Sequence, residues 1–134
     1  MSLASARCVR GSRCYPTSRF LVSNGLVTDT LTNLVWQQQA STTYMTWSSA
    51  QSYCSNAGPG FRLPTVKELE SIVDLTVTSG PTINQTAFPN TPPEASWTSS
   101  PYAASSGDAW IVDFGLGISG AEGEGYFDWA RCVR

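Results

Sequence analysis

The chain has 134 residues, a formal net charge of −2, only 13% charged residues, and no histidine. A chain of this length folds as one domain that buries roughly two-thirds of its unfolded surface, and the charge balance lacks the basic footprint of a protein that tracks nucleic-acid phosphates. The missing histidine removes histidine-based triads and mixed cysteine–histidine metal sites, and no apolar run reaches the roughly 20 residues of a membrane-crossing helix.

Lys67 is the single lysine, and Ser, Thr, Gly and Asn stand where a cytosolic protein places Lys and Glu. That composition reads as that of a secreted, cell-surface or periplasmic protein. The opening Met1-Ser2-Leu3 has no apolar core of a signal peptide, so an export signal is expected to precede these residues.

The pentapeptide Ala6-Arg7-Cys8-Val9-Arg10 returns as Ala130-Arg131-Cys132-Val133-Arg134, an offset of 130 − 6 = 124 residues. This fits one unit of a tandem array of single domains. Residues 1–18 then read as a linker and the end-strand of a preceding repeat, and residues 19–134 as one domain whose partners include neighbouring repeats of the same chain.

Phe20-Leu21-Val22 and Leu26-Val27 flank Ser23-Asn24-Gly25, the signature of a tight antiparallel hairpin. Asp29 to Asn33 forms a second polar turn before the strand Leu34-Val35-Trp36, which Gln37, Gln38 and Gln39 lead out of. Thr46 is placed to cap a helix whose Trp47, Ala50, Tyr53 and Cys54 recur at helical spacing, and Gly58-Pro59-Gly60 ends it. Thr65-Val66-Lys67-Glu68 is a capping box that starts a second helix, expected to run to Asp74 or Leu75 with Val66, Leu69, Ile72 and Val73 inward. Arg62 and Glu68 flank that turn as a structural ion pair. From Thr76 to Ala95 the Pro-, Thr- and Asn-rich chain reads as a long irregular excursion.

Trp97 to Ser100 and Ala109 to Phe114 read as strands, and Tyr126 to Val133 as a final one. Gly115 to Gly125 holds five glycines and reads as a mobile loop or wide hairpin. It matches neither the phosphate-loop nor the dinucleotide pattern. The order of elements predicts an α+β domain, two helices packed on short antiparallel sheets, with adjacent termini.

The four cysteines, Cys8, Cys14, Cys54 and Cys132, lack zinc-ribbon and CxxC spacing and read as disulfides. Cys54–Cys132 would tie helix to last strand across 132 − 54 = 78 residues, worth roughly 4.5 kcal/mol in the chain-entropy model. Cys8–Cys14 would be the local pair. Because Cys8 and Cys132 lie in identical pentapeptides, Cys8–Cys54 stands as the alternative.

Candidate ligand-facing residues are Tyr102 and Tyr126, aromatics in polar or glycine-rich stretches, together with Asp108, Glu122, Glu124 and Asp128 near the late strands. Asp113 belongs to the same acidic group, which on a bland reading keeps a sheet edge soluble. Trp36, Trp47, Trp97, Trp110 and Trp129 are expected in the core. No catalytic residue, cofactor or metal is expected, and calcium held by the acidic glycine-rich stretch is the one ion considered.

Val27 through Gln37, Thr46-Trp47 with Ala50 and Cys54, Phe61-Arg62-Leu63-Pro64-Thr65 with Glu68-Leu69, Trp97-Thr98-Ser99, Ala109 through Phe114, and Arg131-Cys132-Val133-Arg134 together carry a resemblance. They resemble the bacterial domain family of uncharacterised function typified by the C-terminal domain of the Legionella collagen-like protein. The resemblance implies a C-type-lectin-like fold, export, and a disulfide from the first helix to the last strand, here Cys54–Cys132. Asn33 replaces the family's usual glycine and tolerates the same left-handed turn. Phe88-Pro89-Asn90 and Phe127-Asp128-Trp129 stand where sugar-binding C-type lectins carry calcium-ligating motifs, so calcium-dependent sugar binding there is not expected. The adhesin that gives the family its name is associated with sulfated polysaccharides, for which this acidic chain offers only Arg7, Arg10, Arg13 and Arg19.

The expected function is a non-catalytic extracellular binding or adhesion module of a larger exported protein, with a cell-surface glycan or protein as ligand. The alternatives are a structural spacer repeat and a carboxylate-based polysaccharide hydrolase.

Overall fold

A computed structural model describes residues 18–134. The expected Cys8–Cys14 bond, the first pentapeptide, Arg7, Arg10, Arg13 and all of the linker except Ser18 lie outside the described residues.

The first sheet is the antiparallel meander β1 (Phe20–Ser23), β2 (Leu26–Asp29) and β3 (Leu34–Gln37). Asn24 and Gly25 both adopt positive φ, 53° and 77°, the geometry whose twist matches a two-residue hairpin. At the second turn Asp29 Oδ1 accepts from the Leu31 amide, and Asn33 takes the left-handed conformation expected of it. Val27 and Trp36 face each other across β2 and β3 and are both buried. Arg19 grips the buried Asp29 with two hydrogen bonds of 2.8 and 2.7 Å. Burial works against the ionised Asp29, but the guanidinium and the Leu31 amide outweigh it and hold the carboxyl below its usual range.

Thr46 caps α1 (Trp47–Ser55) through the Ser49 amide, and Ala50 and Cys54, one turn apart, are its buried positions. Trp47 is half-buried, donating from Nε1 to the Thr98 carbonyl at 2.7 Å, and Tyr53 faces solvent, so the inward stripe is narrower than expected. The capping box of Thr65 and Glu68 opens α2 (Val66–Glu70) as predicted. Arg62 pairs bidentately with Glu68 and holds its carboxyl below the usual range.

The expectation that α2 runs to Asp74 or Leu75 is corrected: it stops at Glu70, and the next turn tightens to Ile72–Leu69 and Val73–Glu70 backbone bonds. The Ser71 carbonyl, which a longer helix would offer to residue 75, is taken instead by Arg19 Nη2 at 2.9 Å. Leu69 and Ile72 still reach the core.

The second sheet has the order β4 (Ala95–Pro101), β5 (Asp108–Asp113), β6 (Ile118–Gly123), all antiparallel. The glycine-rich stretch is therefore a hairpin and an edge strand, not a mobile loop. Asp113 Oδ1 accepts from the Gly115 and Leu116 amides, and Gly117 at φ 73° completes the turn. Ala109 and Ile111 on one face pack toward α1, Phe61 and Leu63, while Val112 on the other joins Leu69, Ile72, Ile83 and Phe88. The irregular excursion 76–94 contributes Ile83, Ala87 and Phe88 to that second cluster.

The final strand expected over Tyr126–Val133 is also corrected. This segment is extended but changes neighbour every few residues: Asp128 bridges to Met45, Trp129 to Ser96, and Val133 to both Trp36 and Arg62. No ladder grows, because each short contact belongs to a different element. Residues 132–134 run beside β3, with Gln37 N–H to Cys132 O at 3.0 Å and Val35 N–H to Arg134 O at 2.8 Å, so the segment closes onto the first sheet. Cys54 and Cys132 are bonded to each other, which removes the Cys8–Cys54 alternative. Among the described residues, no helix is long and apolar enough to cross a membrane.

Candidate surface cleft

Where the terminal segment leaves β6 and crosses Met45, a cleft of about 280 Å³ opens, lined by Tyr44, Glu94, Phe127, Asp128 and Trp129. Its walls are fixed by backbone bonds. Met45 N–H donates to Asp128 O at 2.8 Å and Asp128 N–H to Met45 O at 3.0 Å, which sets Tyr44 beside Phe127. Trp129 N–H to Ala95 O (3.1 Å) and Trp97 N–H to Trp129 O (2.9 Å) fasten Trp129 to β4, and its indole Nε1 donates to Glu94 Oε1 at 2.7 Å. Tyr44 meets Phe127 and Trp129 edge-to-face, with centroids 6.5 and 5.5 Å apart. Tyr44 and Phe127 nonetheless stay 59% and 62% exposed.

Asp128 also lines the cleft, is only 8% exposed, and its Oδ2 accepts no hydrogen bond. Burial, then the adjoining Glu122 carboxyl and the charges of Asp113 and Glu94, push its pKa up to about 8. At neutral pH it therefore carries a proton. Between the unperturbed value of 3.8 and about 8 the folded state holds a proton that the unfolded chain has lost. Stability from this group is full below pH 4 and declines by at most about 1.4 kcal/mol per pH unit as pH rises to 8. Asp29 and Glu68 titrate below this window with the opposite sign. Asp128→Asn, which imitates the protonated acid, is expected to flatten the decline and to melt above the parent at pH 9. Thermal unfolding of both proteins from pH 5 to 9 measures this, and parallel curves would contradict it.

The six candidate residues from the sequence divide between places. Glu122 and Asp128 meet. Tyr126 is exposed, its ring over Gly123 next to Phe127. Glu124 is tied through its carbonyl to the Trp47 amide at the start of α1 and through its amide to Gly107. Asp108 and Trp110 alternate with Ala109 and Ile111 on β5 and so face the other side of the sheet, where Tyr102 packs on Trp110 with centroids 4.9 Å apart.

Sequence reasoning missed Tyr44 and Glu94 and assigned Trp129 to the core. Of the five tryptophans only Trp36 and Trp97 are fully buried. The available signal for Tyr44 was an aromatic following Ser41-Thr42-Thr43, a polar run with no apolar period.

The lectin-type calcium set does not fit. Phe88 is buried against Phe20 and under the Arg131 guanidinium, and offers no oxygen. Among the described residues no three Asp, Glu, Cys or His side chains gather at metal-holding distances. Arg19, expected to add positive charge at the surface, is occupied by Asp29 and Ser71.

Fold and cleft together define a small disulfide-stapled α+β domain with aromatic side chains held open on its surface. Residues 25–134 match the Lcl C-terminal domain, and the chain belongs to that family. Compared with curated proteins, it matches none.

Proposed function

We propose that this domain is a non-catalytic extracellular binding or adhesion module of C-type-lectin-like fold, one of several in a larger exported bacterial protein. Its ligand surface is the Tyr44–Phe127–Trp129 cleft, and its ligand is a cell-surface glycan or protein. The carrying observation is the exposure of two aromatic rings on a rigid backbone frame. Large rings left in water lose burial that the core would reward, and rigid aromatic anchors are what recognition surfaces use.

A spacer repeat gives no reason for holding Tyr44 and Phe127 outward. Polysaccharide hydrolysis is the weaker reading: the Glu122 carboxyl adjoins Asp128 within hydrogen-bonding reach, whereas acid and base flanking a glycosidic bond stand roughly 5–10 Å apart. Replacing both Tyr44 and Phe127 by alanine is expected to weaken ligand capture on a glycan array by at least about tenfold, with and without chelator, while the unfolding midpoint stays within a few degrees. Unchanged capture by the double variant would refute this surface.

A further inference from the structure

We infer that residues 11–17, which lie outside the described residues, dock as a strap along two joined grooves of the domain that follows them, from Ser18 past the end of α2 to the free side of β6. The grooves share no residue with the aromatic cleft, so this stands apart from the binding reading above.

The chain enters the described domain at Ser18, in a groove of about 340 Å³ that Ser18 lines together with Phe20, Val73 and Asp74. Val73 is also a wall of a second groove, of about 410 Å³, bounded by Glu70, Leu75, Ile118 and Ser119. The two therefore adjoin at Val73. β6 is the outer strand of its sheet, and in an antiparallel ladder every second residue of such a strand turns its amide and carbonyl away from the neighbour. Leu75 and Ile118 are 72% and 55% exposed. Large aliphatic side chains gathered at a free sheet edge are surface that a soluble domain ordinarily covers.

Charge and tethering choose the occupant. Residues 1–17 hold three arginines and no carboxylate, whereas residues 18–134 hold five basic and ten acidic residues, a formal charge of 5 − 10 = −5. Asp74 lines the first groove and Glu70 the second, and neither enters an ion pair among the described residues. The Ser119 hydroxyl donates to Glu70 and holds it at the β6 edge. Arg13 stands five residues before Ser18, a span of roughly 17 Å in an extended chain, which puts Glu70 within its reach across the Val73 junction. Tyr15 and Pro16, between them, bring apolar surface to Val73 and Leu75, and Pro16 favours an extended path. A foreign peptide has to find this surface from solution, whereas a segment joined at Ser18 is held beside it at an effective concentration on the order of millimolar. In a run of such domains the strap would fix each unit to the one before it.

The test is amide hydrogen exchange of the full chain, read by mass spectrometry over residues 11–17. The expected result is exchange at least about tenfold slower than in a free peptide of the same sequence, unchanged over an about hundredfold range of protein concentration. Arg13→Glu and Glu70→Arg should each remove most of that protection and, combined, restore it to within about threefold of the parent. Leu75→Ser, at an exposed position, probes the apolar wall and should speed exchange at least about threefold. Amides as fast as those of the free peptide overturn the strap. Protection that none of the three single variants changes overturns these grooves as its seat. Protection that grows with concentration assigns the surface to a second copy and overturns docking within one chain.

Discussion

Replacing Cys54 and Cys132 together by alanine is expected to cost about 4 kcal/mol of unfolding free energy and to lower the melting midpoint by on the order of 15 °C. The bond joins residues 78 apart, and in the chain-entropy account a loop of that length removes much freedom from the unfolded chain. Both sulfurs are fully buried beside Ala50, Leu63 and Trp97, so the variant also leaves a small void. Denaturant titration of the parent, the parent with reductant, and the double variant measures the effect. The parent with reductant should fall near the variant, and a loss under about 1 kcal/mol would show that the packing holds without the staple.

Arg131 gives the second large effect. It is 1% exposed, yet no carboxylate pairs with it: Nη1 donates to the carbonyls of Gln37 and Gln38, Nη2 to Thr91 Oγ1 at 2.8 Å, and the guanidinium lies 5.0 Å from the Phe88 ring centroid. Burial lowers its pKa to about 10, which still leaves it charged at neutral pH. The fork thus binds the end of β3, the 76–94 excursion and the terminal segment at one point. Arg131→Met fills most of the volume but strands three acceptors, for an expected loss of about 3 kcal/mol. Arg131→Lys is expected to lose at least as much, because one ammonium cannot span that fork and remains a desolvated charge. Equilibrium unfolding of the two variants decides it. Near-parent stability in the lysine protein would mean that charge alone, and not the planar fork, is what the site requires.

The parts that were legible in the sequence are those that local chemistry dictates. Asn24-Gly25, Asn33, the Thr46 cap and the Thr65–Glu68 box each specify a turn or helix start from a few adjacent atoms, and each stands where expected. The Cys54–Cys132 bond was legible as the favoured pairing, with Cys8 left as a competitor that only the three-dimensional placement removes. What failed depended on partners far along the chain. Where α2 ends, the Ser71 carbonyl turns to Arg19, and the terminal segment meets four successive neighbours; the glycine-rich stretch, read as a mobile loop or a wide hairpin, is the hairpin, closed locally on β5.

The cleft was half legible for the same reason. Glu122 and Asp128 stood out as acidic residues near late strands, but Tyr44 joins them only because Met45 pairs with Asp128 across more than half the chain. Asp108 and Tyr102 looked equivalent to them in sequence and are separated by the alternation of a single strand.

Residues 130–133 are interior from end to end, enclosed by β3, Arg62, β4 and the α1 sulfur. Folding therefore cannot lock until residues 130–133 have been made and seated, however early the rest of the domain emerges.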